Sequence, residues 1–98
     1  MICGGYKAWK EVTEADNIAG EAVLNMRPQI EAHLGATFTD FKPVHYQSQV
    51  VAGTNFKIKV QVDAGEVLHV KIFRPLPYTG DPDELKTAER GKTLEDDF

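Results

Sequence analysis

The sequence predicts an α+β domain: one amphipathic helix covering one face of a four- or five-stranded antiparallel sheet. One change of rhythm and one glycine predict it. Apolar residues recur every three or four positions from Ala15 to Leu34, then at every second position along most of Phe41 to Arg74. Within that second stretch, Val44 to Val62 would span about 60 Å as a single strand at ~3.3 Å per residue. A folded chain of 98 residues has a radius of gyration of about 13 Å. The stretch must therefore double back, and Gly53 is the one glycine inside it.

The elements follow in order. A short first strand is expected around Tyr6–Lys10, with Trp9 as an anchor packing it on the helix end. Thr13 then caps a helix, with Asp16 three positions on and acids in the first turn. Ala15, Ile18, Ala19, Ala22, Val23, Met26, Ile30, His33 and Leu34 form its apolar face, and Gly35 stops it. Pro28 removes a mid-helix hydrogen bond, so the rod bends near Met26. Strands are expected at Phe41–Ser48, Thr54–Val62 and Val67–Arg74, with a turn at Asp63–Glu66. Phe56, Ile58, Val60, Val62, Leu68, Val70 and Ile72 face inward; Lys57, Lys59 and Gln61 face outward. Pro75 to Asp83 holds three prolines and is a loop.

Composition narrows the function classes. At 42% hydrophobic and 27% charged the chain suits one folded domain, residues 1–98. A net charge of −4 with scattered lysines argues against nucleic acid. The longest apolar stretches fall short of a membrane span. The start, Met1 to Tyr6, lacks the basic and apolar regions of a signal peptide. A single cysteine forms no internal disulfide, which fits a reducing compartment, the cytoplasm.

Counting turns locates a site. In an antiparallel meander the Gln49–Gly53 turn and the Leu76-Pro77 loop fall at one end of the sheet. The Asp63–Glu66 turn falls at the other. A first strand antiparallel to the second starts the N-terminal segment, Met1–Gly4, at that first end too. Three apolar or small segments thus converge on a narrow edge, and exposed apolar tips signal contact with a partner.

The same residues carry a resemblance. Gln49-Val50-Val51-Ala52-Gly53-Thr54-Asn55 is similar to the Q-x-V-x-G first-hairpin motif of the cystatins. With Met1-Ile2-Cys3-Gly4-Gly5, Leu76-Pro77, His69 to Phe73 and Gly91-Lys92-Thr93 at matching places, the whole chain resembles the type 1 cystatins, or stefins. These are intracellular inhibitors of papain-like cysteine proteases. The resemblance implies a cystatin-like fold, the sheet wrapped around one bent helix, with a fifth strand near Leu85–Glu89. There Ala88 stands where stefins have a tyrosine, and the tail is a few residues short.

The resemblance also implies a mechanism: reversible, tight-binding, non-covalent occlusion of the active-site cleft of cathepsins of the L, S, H and B type. Ile2, Cys3 and Gly4 would lie along the non-primed subsites. Gln49, Val50, Val51, Ala52, Gly53, Leu76 and Pro77 would fill the primed side. Gly4 would let the trunk pass close to the catalytic centre, and Gln49 would order the loop. The cystatins also imply a monomer able to form a domain-swapped dimer, through opening of the Gln49–Gly53 loop into a continuous strand.

Other readings are weaker. A cystatin-fold binding module for another protein or ligand is the alternative function. Cys3 with His33, His45 or His69 as base would make a thiol enzyme, but a terminus offers nothing to hold a base. The chain is read as a non-enzyme with no catalytic residues, no metal and no cofactor. His45 and His69 fall on the helix-free face and are read as solvated. Asp81, Asp83, Glu84, Glu95, Asp96 and Asp97 lack calcium-loop spacing and are read as solvated surface.

Overall fold

The fold is given by a computed structural model that describes residues 9–13 and 18–96. Five strands form one antiparallel sheet in chain order: β1 (Lys10–Glu11), β2 (Phe41–Val51), β3 (Gly53–Val62), β4 (Val67–Arg74) and β5 (Glu84–Lys92). Two helical segments, α1 (Ile18–Asn25) and α2 (Arg27–Leu34), lie between β1 and β2. The α+β architecture is as the sequence predicts, and the radius of gyration is 13.1 Å.

Pro28 explains why there are two segments where one bent helix is expected. It has no N–H to offer the Leu24 carbonyl, and its ring crowds that carbonyl. The helix breaks at Met26, which leaves Pro28 in the first turn of α2, where a missing N–H is harmless. The rod is otherwise continuous: Met26 N donates to Ala22 O (3.2 Å) and Ile30 N to Met26 O (2.9 Å). At its end Gly35 takes the left-handed conformation (φ 65°), and Ala36 N and Gly35 N donate to Glu31 O and Ala32 O, closing the last carbonyls.

Ala19, Ala22, Val23, Met26 and Ile30 bury against Phe56, Ile58, Val60, Leu68, Val70 and Ile72, the inward row of the sheet. Ile18 and His33, expected on the apolar face, are exposed. The inward row of β2 changes phase part-way along the strand. Phe41 and Pro43 are buried opposite Val62 and Val60, but a bulge between Pro43 and His45 then shifts the phase, so that Tyr46 faces Ile58. Val44 is the extra residue, and its carbonyl accepts from Val12 N (2.9 Å) beside β1.

β5 is longer than the Leu85–Glu89 expected. Ala88 is buried opposite Val70, so the small residue still closes the core. A second bulge, holding Arg90 and left-handed Gly91, is pinned by Glu66. Glu66 accepts both guanidinium bonds of Arg90 (3.0 Å each) and Gly91 N (3.1 Å).

The helix-free face also departs from expectation. Lys59 and His69, predicted outward and solvated, are 5% and 1% exposed. A second layer covers them. The Lys59 ammonium lies 4.4 Å from the centre of the Trp9 ring and donates to Leu94 O (2.6 Å). Trp9 thus packs on the outer face, not on the helix end. His69 lies beside the backbone of Thr93, and burial holds its imidazole below the usual histidine range, with the Lys59 and Lys92 charges adding to the effect.

Candidate functional site

The turn between β2 and β3 is tighter than the sequence suggests. Both strands run on to the tip, Val50 opposite Thr54 and Val51 opposite Gly53, leaving Ala52 alone at the bend. Val50 and Val51 are 58% and 41% exposed. They alternate across the pleat, so the tip presents apolar surface on both faces.

Two features hold this tip. Gln49 and Asn55 face each other across the hairpin, and Asn55 Nδ2 donates to Gln49 Oε1 (2.9 Å). The bond ties the two strands together three residues before and three residues after Ala52. Gly53 has φ 131° and is buried against the end of β4. A Cβ there would lie 2.5 Å from Arg74 O and 2.7 Å from Phe73 Cζ. Glycine is required on both counts.

The second loop leaves β4 at Arg74 and returns at Glu84. Arg74 forks onto Asp83, Nε to Oδ1 at 3.0 Å and Nη2 to Oδ2 at 2.8 Å, closing the base of the loop. Asp83 is therefore an ion-pair partner, not solvated surface. Leu76 and Pro75 are half-buried and Pro77 exposed. Pro77–Thr79 forms a 3₁₀ turn in which Thr79 N and Oγ1 both donate to Leu76 O (3.0 and 2.8 Å).

Thr54 pairs with Arg74, so the two loops leave the same end of the sheet. A groove of about 500 Å³ separates them from the start of α1, lined by Ile18, Tyr46, Phe56, Gly53 and Leu76 among others. β1 runs away from that end, antiparallel to β2, so the chain enters β1 from the side of Ala52. Ile2, Cys3 and Gly4 lie outside the described residues. The first hairpin and the Leu76-Pro77 loop are thus brought together as counting turns requires.

The edge is apolar and exposed at Val50 and Val51. Among the described residues no three potential metal ligands cluster, and no helix is long and apolar enough to cross a membrane. Sequence reasoning missed Asn55, Arg74 and Asp83. Asn55 was recoverable, being as far after Ala52 as Gln49 is before it.

Residues 9–95 match the Cystatin domain family. The chain belongs to the cystatins. Cystatin-A of Felis catus is 38% identical over 99 aligned residues, covering 100% of this chain and 97% of its own. Leukocyte cysteine proteinase inhibitor 1 of Sus scrofa is 36% identical, with 100% and 92% covered. Cystatin-B of Homo sapiens is likewise 36% identical, with 100% and 97% covered. The resemblance to the type 1 cystatins stands along the full length, and with it the fold read from the sequence. In this cystatin the Q-x-V-x-G segment is the braced hairpin tip just described.

Proposed function

We propose that the chain is a reversible, tight-binding, non-covalent inhibitor of papain-like cysteine proteases, acting as a wedge in the active-site cleft. One observation carries the reading: Val50 and Val51 stand exposed on a hairpin braced by Gln49 and Asn55, beside the clamped Leu76-Pro77 loop. A rigid apolar edge loses little conformational freedom on insertion, so an interface of roughly 1,600 Å² would suffice for tight binding. The wedge offers no bond in geometry for attack, and the protease thiolate is covered rather than consumed. The inhibitor itself is not an enzyme.

In this reading Ile2, Cys3 and Gly4 line the non-primed side, with Gly4 passing the catalytic centre. Gln49, Val50, Val51, Ala52, Gly53, Leu76 and Pro77 occupy the primed side. The targets are cathepsins of the L, S, H and B type, the working compartment is the cytoplasm, and the chain is one domain, active as a monomer. Opening of the Ala52 bend would allow an exchanged dimer lacking the tip, and that dimer would not inhibit.

Titration against papain and cathepsins L, H and B tests the reading, with a variant lacking Met1–Gly4 alongside. Full-length protein should inhibit stoichiometrically and the shortened one far more weakly at an unchanged melting temperature. Equal inhibition by both removes the trunk from the mechanism. No inhibition by either rejects the function.

A further inference from the structure

Tyr78 is 84% exposed, the most exposed large apolar side chain among the described residues. It follows Leu76-Pro77 directly and sits at the centre of the Pro77–Thr79 turn. Four constraints fix its backbone. Pro77 sets its own φ, and Thr79 is tied twice to Leu76 O. Gly80, left-handed at φ 70°, donates to Pro77 O (3.3 Å). Asp81 N donates to Thr79 Oγ1 (3.2 Å). Below them the Arg74–Asp83 fork closes the loop.

An aromatic ring held out in water on a rigid turn gives folding almost nothing. It gives association a great deal, since tyrosine brings a large contact area with only two side-chain torsions to freeze. Anchors of this kind carry most of the energy of an interface when they enter a pocket that excludes water. Tyr78 also lies at the end of the sheet that carries Val50 and Val51, joined through the Thr54–Arg74 pairing.

We propose that Tyr78 is a further anchor of the wedge, its ring seated on an apolar wall at the outer end of the primed side of the target cleft. There it sets which proteases are bound tightly. The proposal rests on the inhibitor reading above and goes beyond it. Leu76-Pro77 supplies general apolar contact, whereas the ring reaches further and requires a matching depression in the target.

Dissociation rates from papain and from cathepsins L, H and B test it, measured for wild type, Tyr78→Ala, Tyr78→Phe and, as a control on exposed apolar surface elsewhere, Leu24→Ala. Tyr78→Ala should leave at least one target about tenfold to a hundredfold faster, by a factor that differs between targets. Tyr78→Phe should stay within about threefold of wild type, because the ring is retained. Leu24→Ala should match wild type, and all melting temperatures should agree. Rates for Tyr78→Ala within twofold of wild type on every target overturn the anchor while leaving the inhibitor reading intact. A Tyr78→Phe variant as fast as Tyr78→Ala overturns the ring contact. Wild-type protein that inhibits none of the four removes the reading and the proposal together.

Discussion

Gly53 lies flat against the backbone of Arg74, so close that a methyl group in its place would sit 2.5 Å from the Arg74 carbonyl oxygen. The side chain of that same arginine grips Asp83 at the base of the second loop. The two loops of the edge are therefore set by one residue, the first through its backbone and the second through its guanidinium.

Gly53→Ala should disturb both. The alanine must either hold a φ that L-residues avoid or push β4 away, and we expect a loss of roughly 2 kcal/mol in stability. Protease affinity should fall by more than the melting temperature suggests, because the tip itself is displaced. Chemical denaturation beside inhibition kinetics checks this, and an unchanged midpoint would contradict the crowding at Arg74.

Asp83→Asn keeps the shape of the side chain and removes its charge. The pair is partly open to solvent, with a third of the arginine side chain and about a fifth of the aspartate exposed. Stability should therefore fall by only about 0.5–1 kcal/mol. Association should suffer more than folding, since the loop loses its preorganisation. An affinity loss no larger than the stability loss would mean the loop is held by its prolines and 3₁₀ turn alone.

Val51→Asp places a charge where the apolar groove of a protease would strip its water. About 3 kcal/mol, or roughly a hundredfold in affinity, should be lost, mostly as faster dissociation. Val51 is open to solvent, so melting should not change. Leu76→Asp should act in the same direction but less, because Pro75 and Pro77 still shape the loop. If neither variant alters papain inhibition, the edge is not the binding surface.

His69 links stability to pH. Its folded-state pKa lies below its ordinary value, so the neutral form is favoured in the fold. Its contribution is fully present above the unfolded value near ~6.5 and is lost as pH falls below that toward the folded value. Asp63 and Glu66, also lowered, lose theirs at more acid pH, below about 4. Urea midpoints should therefore drop between pH 7.5 and 5.0 for wild type and drop less for His69→Gln. Equal drops would show that His69 takes up no extra proton on unfolding.

The helix and strands were legible because their burial is periodic, and periodicity is local. β2 and β3 outran their expected ends because a bend at Ala52 alone reverses the chain, and no residue type announces so short a turn. The tip and the Leu76-Pro77 loop were readable from composition and order. Of their supports, Asn55 could be placed by its distance from Ala52, whereas the Arg74–Asp83 pair could not, since it depends on loop closure. The outer face was misread for a related reason. Lys59 and His69 alternate as solvated residues do, and what covers them comes from Trp9 and residues 93–96, distant in the chain.

That second layer also gives the protein an internal optical probe. Trp9 is the one tryptophan in the sequence, and the Lys59 ammonium sits over its ring. Its fluorescence therefore monitors the outer face and not the helix-packed core. Circular dichroism at 222 nm monitors α1 and α2 on the opposite side of the sheet. Followed together during acid titration, the two signals separate the layers in time and in pH. A fluorescence change that precedes the loss of ellipticity would mark the outer layer as the first part to open.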